Sequence, residues 1–428
     1  MSREMKHSGI EWIGEIPKEW KVAKLKQLGS YINGYAFKPE DWSDSGKPII
    51  RIQDLTGSFS NPNYFSGTID NRYLITKGDI LVSWAATLDA FIWSNEDGWL
   101  NQHIFKAVPD SCMNSRFFYW LIKVAMDNMN NDNKHGIVMQ HVTVGLFGNF
   151  LVGVPSYSEQ QKIANYLDKV CGEVDEMIAL QEQMIEELKA YKQSVITEAV
   201  TKGLNPNVPM KDSGINWIGE IPEHWNLIHF FKTNWIRARL GWKGLKADEY
   251  TETGYPFLSA FNIINDKLVW EDLNFINQER YDESPEIKLS IGDLLLVKDG
   301  AGIGKCAVVD ELPFGEATVN SSLAVVSPNR VIVDTHFQYY YFKSAIFQNT
   351  IWLLKIGMGV PHLTQENMRD IIIPNPPLSE QQFIASYLDT KCAEIDDLIA
   401  LKQTKIEELK EYKKSVIYEY VTGKKEVV

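Results

Sequence analysis

From Ser158 to about Thr201, apolar residues recur at alternating spacings of three and four. They are Ile163, Leu167, Val170, Val174, Met177, Met184, Leu188, Tyr191 and Val195, with one polar break at Gln181. This period predicts an amphipathic helix whose apolar seam requires a partner. The pattern returns from Ser379 to about Thr422, at Ile384, Leu388, Ile395, Leu398, Leu409, Tyr412 and Val416, with Lys402 where Gln181 stands. The two stretches align without a gap, and roughly two-thirds of their positions are identical, which makes them an internal repeat. Each opens with S-x-x-Q (Ser158 to Gln161, Ser379 to Gln382), the pattern of a capping box. Pro155, Pro376 and Pro377 stand just upstream, and Gly203 and Gly423 near the ends. About 43 residues at 1.5 Å each make a rod of ~65 Å. One helix lying antiparallel against the other buries both seams.

A second repeat precedes each helical unit. Residues 5–20 read M-K-H-S-G-I-E-W-I-G-E-I-P-K-E-W, and residues 210–225 read M-K-D-S-G-I-N-W-I-G-E-I-P-E-H-W. Between the repeated pieces the pattern changes from period 3.6 to short β-branched and aromatic runs bounded by Gly, Asn and Asp, which predict strands and turns. Gly46–Leu55 parallels Gly254–Ile263, Gly78–Val82 parallels Gly292–Leu296, and Asn101–Phe105 parallels Asn320–Ala324. Gln140–Thr143 likewise parallels Pro361–Thr364, and helical patterns run over 115–129 and 335–354. The predicted fold class is α+β: two mixed α/β domains joined by two long antiparallel coiled-coil helices, with a pseudo-twofold internal repeat. The expected segments are 1–20, a first domain at 21–150, a helix at 151–203, a linker repeat at 204–225, a second domain at 226–373 and a helix at 374–428. The repeated pieces suit two copies of one partner, and the diverged domains suit two different targets.

Composition narrows the function. No apolar run approaches the ~20 residues of a membrane span. The four cysteines, Cys112, Cys171, Cys306 and Cys392, form no C-x-x-C or Cys/His cluster, which argues against disulfides and zinc and for a reducing, cytoplasmic setting. The net charge of −13 does not announce a nucleic-acid binder. Residues 21–150, however, carry about as many Lys and Arg as Asp and Glu, so local patches would have to carry any DNA binding.

Three features occur twice: S-G-I-x-W-I-G-E-I-P-x-x-W, the P-x-x-S-E-Q-Q helix entry and the Gly-Asp-hydrophobic strand. With them, the chain resembles, over essentially its whole length, a specificity (S) subunit of a type I restriction–modification enzyme. The resemblance implies a non-catalytic chain in which each variable region is a target-recognition domain reading one half of a bipartite double-stranded DNA site. It implies that the helices form the spacer. It also implies assembly with two methyltransferase (M) subunits, which bind S-adenosylmethionine, and with restriction (R) subunits, which use ATP and Mg. No cofactor is expected on this chain.

Catalytic alternatives are thin. Asn375-Pro-Pro-Leu378 nearly matches the N-P-P-aromatic motif of adenine-amino methyltransferases. It lacks the aromatic and any preceding Gly-rich cofactor loop, and it sits at the helix entry equivalent to Val154–Tyr157. Gly300-Ala-Gly-Ile-Gly-Lys305 has one residue too few for a P-loop, and Cys306 stands where Ser or Thr belongs. With Lys298 and Lys305 it reads either as a loop touching the DNA backbone or as a plain hairpin. Asp272 with Glu286 and Lys288 can be drawn as a nuclease triad, but the other half has no counterpart. His103, His141 and His362 read either as structural residues or as contacts to a base or phosphate.

The candidate DNA contacts follow from residue type. Arg237, Arg239, Lys243 and Lys246 interleave with aromatics and would line a phosphate face, or supply one Arg to guanine; the alternative is a solvated charged strand. The matching first-domain stretch carries only Lys38. Polar residues at predicted strand ends are the natural base readers: Arg51, Gln53, Asn101 and Gln102 in the first domain, and Asn262, Asn320 and Ser321 in the second. Asn and Gln pair bidentately with adenine, and Arg with guanine. Ser83 and Trp84 remain within reach of a groove, although the loop after them lacks the glycines and lysines of its counterpart. His141 and His362 are repeat equivalents. The rival readings are a solitary methyltransferase or nuclease, and a scaffold whose variable domains bind proteins.

Overall fold

The computed structural model describes residues 3–57, 61–84, 88–132, 144–238, 245, 249–355 and 362–427. It divides into two compact units, one of Met1–Gln181 with Thr404–Val428 and one of Glu182–Gln403.

The first unit begins with a hairpin of β1 (Met5–Ile10) and β2 (Gly14–Pro17), followed by β3 (Lys21–Lys24) and β4 (Gly29–Asn33). Then come β5 (Lys47–Ile50), the short helix α1 (Ile52–Thr56), β6 (Tyr64–Phe65), β7 (Leu74–Ile75), β8 (Ile80–Ser83), β9 (Asp89–Ile92), β10 (Gly98–Leu100) and β11 (Ile104–Pro109). Helices α2 (Ser115–Asp132) and α3 (Val144–Gly148) and strand β12 (Leu151–Val154) lead into α4 (Tyr157–Lys202). One antiparallel sheet has the order β4-β11-β8-β9; a second, β6-β5-β10-β7, contains the parallel pair β5/β10. β12 pairs back onto β3, so the domain leaves beside the point where it entered.

The second unit repeats this plan. After the hairpin β13 (Met210–Asp212) and β14 (Glu220–Pro222) come β15 (Asn226–His229), α5 (Phe230–Thr233) and β16 (Asn234–Arg237). They are followed by β17 (Tyr255–Leu258), β18 (Ile263–Ile264), β19 (Lys267–Leu268), β20 (Asn274–Ile276), α6 (Gln278–Asp282), β21 (Leu294–Val297), β22 (Cys306–Val308), β23 (Thr318–Val319) and β24 (Leu323–Pro328). Helices α7 (Thr335–Lys343), α8 (Ala345–Leu354) and α9 (Gln365–Arg369), then β25 (Ile372–Asn375), lead into α10 (Leu378–Val421). The sheet β16-β24-β21-β22 corresponds strand for strand to β4-β11-β8-β9; the sheet β20-β17-β23, with β17/β23 parallel, matches β6-β5-β10 and has, among the described residues, no strand in the place of β7; and β25 pairs with β15 as β12 does with β3. The strand runs of β8 and β21 are buried at every position, so they read as continuous apolar stretches rather than alternating ones.

The Gly-Asp dipeptide ahead of these strands anchors each sheet. Asp79 Oδ2 accepts from the Thr76 amide at 2.7 Å and from Lys106 Nζ of β11 at 2.7 Å. Asp293 Oδ2 accepts from the Ser290 amide at 2.9 Å and from Arg237 Nη2 of β16 at 2.8 Å. The same carboxylate position thus takes its cation from a different strand in each unit.

The long helices run antiparallel within each unit. In the first, Lys413 Nζ meets Asp175 Oδ1 at 2.6 Å, and the rings of Tyr166 and Tyr420 lie 4.4 Å apart. In the second, Lys192 Nζ meets Asp396 Oδ2 at 2.6 Å. Asp175 and Asp396 are repeat equivalents, and so are Lys192 and Lys413, so one ion pair is made twice.

Two details of the helices differ from the sequence expectation. Met177, Tyr191, Leu398 and Tyr412 are exposed rather than in the seam. The seam instead runs through Cys171, Val174, Ile178, Gln181, Ile185, Leu188 and Lys192, and through Cys392, Ile395, Ile399, Lys402, Ile406, Leu409 and Lys413, all buried or half-buried. Large apolar residues stand on both faces, with Ile178, Ile185 and Ile399 one position from the expected Met177, Met184 and Leu398, and thiols and lysine stems share the packed face; Lys192 and Lys413 pack their stems while their ammonium groups reach the aspartates. Nor is Ser158 the N-cap. α4 begins a residue earlier, where the Ser156 carbonyl accepts from the Gln160 amide at 2.9 Å, and α10 begins after Pro377, whose carbonyl accepts from the Gln381 amide at 3.0 Å.

The S-E-Q-Q residues do other work. Glu159 accepts from Trp20 Nε1 at 3.1 Å, and Glu380 from Trp225 Nε1 at 3.1 Å, so each helix entry holds the tryptophan of a repeated segment. Gln160 takes the Asn114 amide at 2.8 Å and Gln381 the Asp334 amide at 2.8 Å, fastening the loops before α2 and α7. Among the described residues, no helix is long and apolar enough to cross a membrane.

Candidate nucleic-acid interface

The parallel strands β5 and β10 end side by side at Ile50 and Leu100. The turn after β10, residues 101–103, leads into β11, whose first residue Ile104 pairs with Ser83 at the end of β8. β4 ends against the same turn: the Gly34 amide donates to the Ile104 carbonyl at 3.1 Å. A Cβ on Gly34 would stand 1.9 Å from the Asn101 carbonyl oxygen, so only glycine permits this approach. Four strand ends therefore gather Arg51, Gln53, Ser83, Trp84, Asn101 and Gln102 at one end of the first unit.

Their roles differ. Gln53 is exposed on α1. Arg51 caps α1, its amide donating to Asp54 Oδ2 at 2.7 Å, and its guanidinium lies 5.0 Å over the half-exposed Trp42 ring. With the Asn63 amide oriented to present its oxygen, that oxygen accepts from the Arg51 guanidinium. Gln102 is half-buried; its Oε1 has no hydrogen-bond partner among the described residues. The Trp84 ring lies 5.9 Å from the His103 ring. Ser83 is fully buried and Asn101 nearly so, with Asn101 Oδ1 accepting from the His103 amide at 3.3 Å, so neither side chain faces a groove and Asn101 holds the turn. Lys38 is exposed, 4.0 Å from Glu40.

The second unit builds the same cluster from β17, β23 and β21. The Asn320 amide donates to the Leu258 carbonyl at 2.8 Å, and the Lys298 amide to the Ser322 carbonyl at 2.9 Å. The Ala260 amide donates to Ser322 Oγ at 3.3 Å, and His362 bridges to Asp299. Asn320 Oδ1 is engaged by the Ser322 amide at 2.9 Å and the Ser322 hydroxyl at 2.5 Å. Lys298 pairs with Asp299 at 2.6 Å. Ser321, Lys305 and His362 are exposed.

Two expected contacts are corrected by burial. Arg237 is not on a phosphate face: its Nη1 donates to the Glu286 and Lys288 carbonyls at 3.1 and 2.9 Å, and its Nη2 to Asp293 and Ser327. The guanidinium is the counterion of a buried carboxylate. Asn262 is buried as well, its Oδ1 accepting from the Ser259 amide at 2.9 Å, so it caps a turn. The residue before it, Phe261, was not singled out by sequence reasoning and is 90 % exposed. Its one signal is its place between Ser259 and the capping Asn262. His141, Arg239, Lys243 and Lys246 lie outside the described residues.

The motifs that suggested catalysis serve the fold. Gly300–Lys305 is the hairpin turn joining β21 to β22, closed by the Gly304 amide on the Val297 carbonyl at 2.9 Å. Asn375-Pro-Pro-Leu378 is the entry to α10, with the Pro376 carbonyl accepting from Gln381 Nε2 at 2.8 Å. Lys288 pairs with Asp282 at 2.6 Å, and among the described residues no group of His, Cys, Asp and Glu is arranged to hold a metal ion.

The family model described as the type I restriction modification DNA specificity domain matches residues 17–190 and 242–411. The MjaVIII specificity subunit of Methanocaldococcus jannaschii is 24% identical over 96% of this chain and 93% of its own length. The EcoBI specificity subunit of Escherichia coli is 26% identical over 93% of this chain and 84% of its own. A chain from a solved structure concerned with complex assembly and conformational transition of the type I R-M system shares the fold at TM-score 0.70 and 15% identity, covering 95% of this chain and 98% of that one. Two matched segments, each falling on one copy of a duplicated α+β plan, place this chain in the type I restriction modification DNA specificity domain family.

Proposed function

We propose that this specificity subunit reads a bipartite double-stranded DNA site, one half with each strand-end loop cluster, and that the two long helices set the gap between the halves. The chain is a non-catalytic specificity subunit with two tandem target-recognition domains. The observation that carries the finer reading is the contrast between frame and loops. The four-stranded antiparallel sheets correspond strand for strand, while the exposed loop-end residues include Gln53 and His103 in one unit and Phe261, Ser321, Lys305 and His362 in the other. Like frames carrying different polar and apolar tips are suited to reading two different sequences.

The proposed partners are two methyltransferase subunits and the restriction subunits of the same system, working in the cytoplasm. S-adenosylmethionine belongs to the methyltransferase partner, and ATP and Mg to the restriction partner. Exposed apolar residues on the helices support a pair of like docking surfaces. Met177, Leu180 and Tyr412 belong to the first unit, and their repeat equivalents Leu398, Leu401 and Tyr191 to the second; all six are exposed.

The test is a domain exchange. Residues 21–150 are replaced by the corresponding domain of another specificity subunit, and methylated sites are mapped in a genome expressing the chimera with the methyltransferase. One half of the site is expected to change and the other to persist. A change in both halves rejects modular reading.

A further inference from the structure

The turn that follows the parallel strand is closed by the same pair of bonds in both units, and each presents an exposed residue. In the first unit β5 ends at Ile50, paired with Leu100; in the second β17 ends at Leu258, paired with Val319. The next residue, Arg51 or Ser259, donates its amide to a side chain three places on, to Asp54 Oδ2 at 2.7 Å or Asn262 Oδ1 at 2.9 Å. The return bond is also shared: the Asp54 amide donates to the Arg51 carbonyl and the Asn262 amide to the Ser259 carbonyl, both at 3.0 Å. This doubly closed turn fixes the two residues between, the first half-buried (Ile52, Ala260) and the second exposed to solvent (Gln53, Phe261).

Phe261 is 90 % exposed, which is uncommon for a phenyl ring on a rigid turn. Exposure alone would mean little, since single apolar residues on a surface are ordinary. Val331 is 82% exposed, but it lies beyond the far end of β24, away from the loop cluster. Phe261, by contrast, stands in the cluster. Its own turn is tied to Ser322 through the Ala260 amide, and Ser322 is tied to Lys298 and Asn320. The surrounding tips, Ser321, His362 and Lys305, are polar and exposed. An aromatic tip that stands, among the described residues, beside polar ones, on a frame whose other copy presents a glutamine, fits a position that selects a base. The major-groove features that an apolar side chain distinguishes and a polar one does not are few, and the 5-methyl of thymine is the principal one.

We propose that Phe261 is a specificity-determining residue that contacts the 5-methyl group of one thymine in the half-site read by the second unit, at the position where Gln53 reads its base in the first. This rests on the proposed reading of a bipartite site, one half by each unit.

The experiment uses the full chain assembled with its methyltransferase. Sites are first mapped for the wild-type complex. Duplexes carrying that site are then prepared with each thymine of the second half-site replaced, one at a time, by deoxyuridine, and binding is measured for wild type and Phe261→Ala. Wild type is expected to lose roughly fourfold in affinity at one position, the amount for burying a group the size of a methylene. Phe261→Ala is expected to bind the thymine and uracil duplexes equally, and its mapped sites are expected to relax at that base pair alone. Because the ring is exposed, the melting temperature should match wild type, which separates reading from folding. A half-site without thymine, an unchanged thymine-to-uracil ratio in Phe261→Ala, or a loss of affinity uniform across positions would each overturn the assignment. Failure of the underlying reading shows differently: the wild-type complex itself would then give no sequence-specific bipartite methylation.

Discussion

Arg237 and Lys305 show how two cations of one domain are put to different uses. Arg237 satisfies Asp293 inside the sheet, with both side chains under a tenth exposed, whereas Lys305 projects from a hairpin turn. Arg237→Ala would leave a buried carboxylate without its counterion, and the expected loss is ~3–5 kcal/mol of stability, read from the urea unfolding of the purified chain. If Lys305 contacts a phosphate, Lys305→Ala leaves unfolding unchanged and flattens the dependence of log K on log salt by up to ~0.9. Residue type cannot separate these outcomes, because an Arg next to a Trp on a strand reads equally well as a DNA contact. Depth separates them, and depth comes from the pairing of β16 with β24, a long-range event that no local pattern encodes. The same holds for Asn262, which the sequence presents as a free polar group and the turn consumes.

At the scale of elements, the long helices were legible from period and repetition, and the choice of seam face was not. Large apolar residues stand on both faces, and Cys171, Cys392 and the lysine stems share the packed one, so a search for large apolar residues lands one position away. The packing within each unit also fixes where the helices tolerate change. The ion pairs Asp175–Lys413 and Lys192–Asp396 each lie inside one unit, whereas 181/182 and 403/404 are the boundaries between units. Inserting four residues at both boundaries keeps every intra-unit pair. It advances each helix by ~6 Å with ~40° beyond a full turn, a disturbance the seam absorbs as a stutter. With B-DNA rising about 3.4 Å per base pair, the mapped site is expected to gain roughly one or two unread base pairs while both halves persist. Full activity on the original gap alone would show that the helices do not set the distance.

At the scale of the whole molecule, the duplication was readable because the scaffold pieces repeat nearly letter for letter, while the two domains could be paralleled only at short segments until strand order joined those segments into one plan. One consequence of the helix ends reaches further. Gly203 and Gly423, both at φ 75°, close the two long helices; Gly203 sits against Trp225 and Gly423 against Trp20. Lys424 Nζ then reaches the Glu15 carbonyl at 2.7 Å. From Gly203 the chain crosses to Met210 through six residues, 204–209. The two helix-to-hairpin junctions are thus alike, one carried by residues 204–209 and the other by the packing of Gly423 and Lys424 against residues 15–20. Joining Gly423 to Met5 through a linker copied from 204–209, and opening the chain within 204–209 instead, should give a circular permutant with the same mapped methylation sites and a melting temperature within a few degrees of the parent. A permutant that folds and loses either half of the site would mean that the two junctions are not interchangeable.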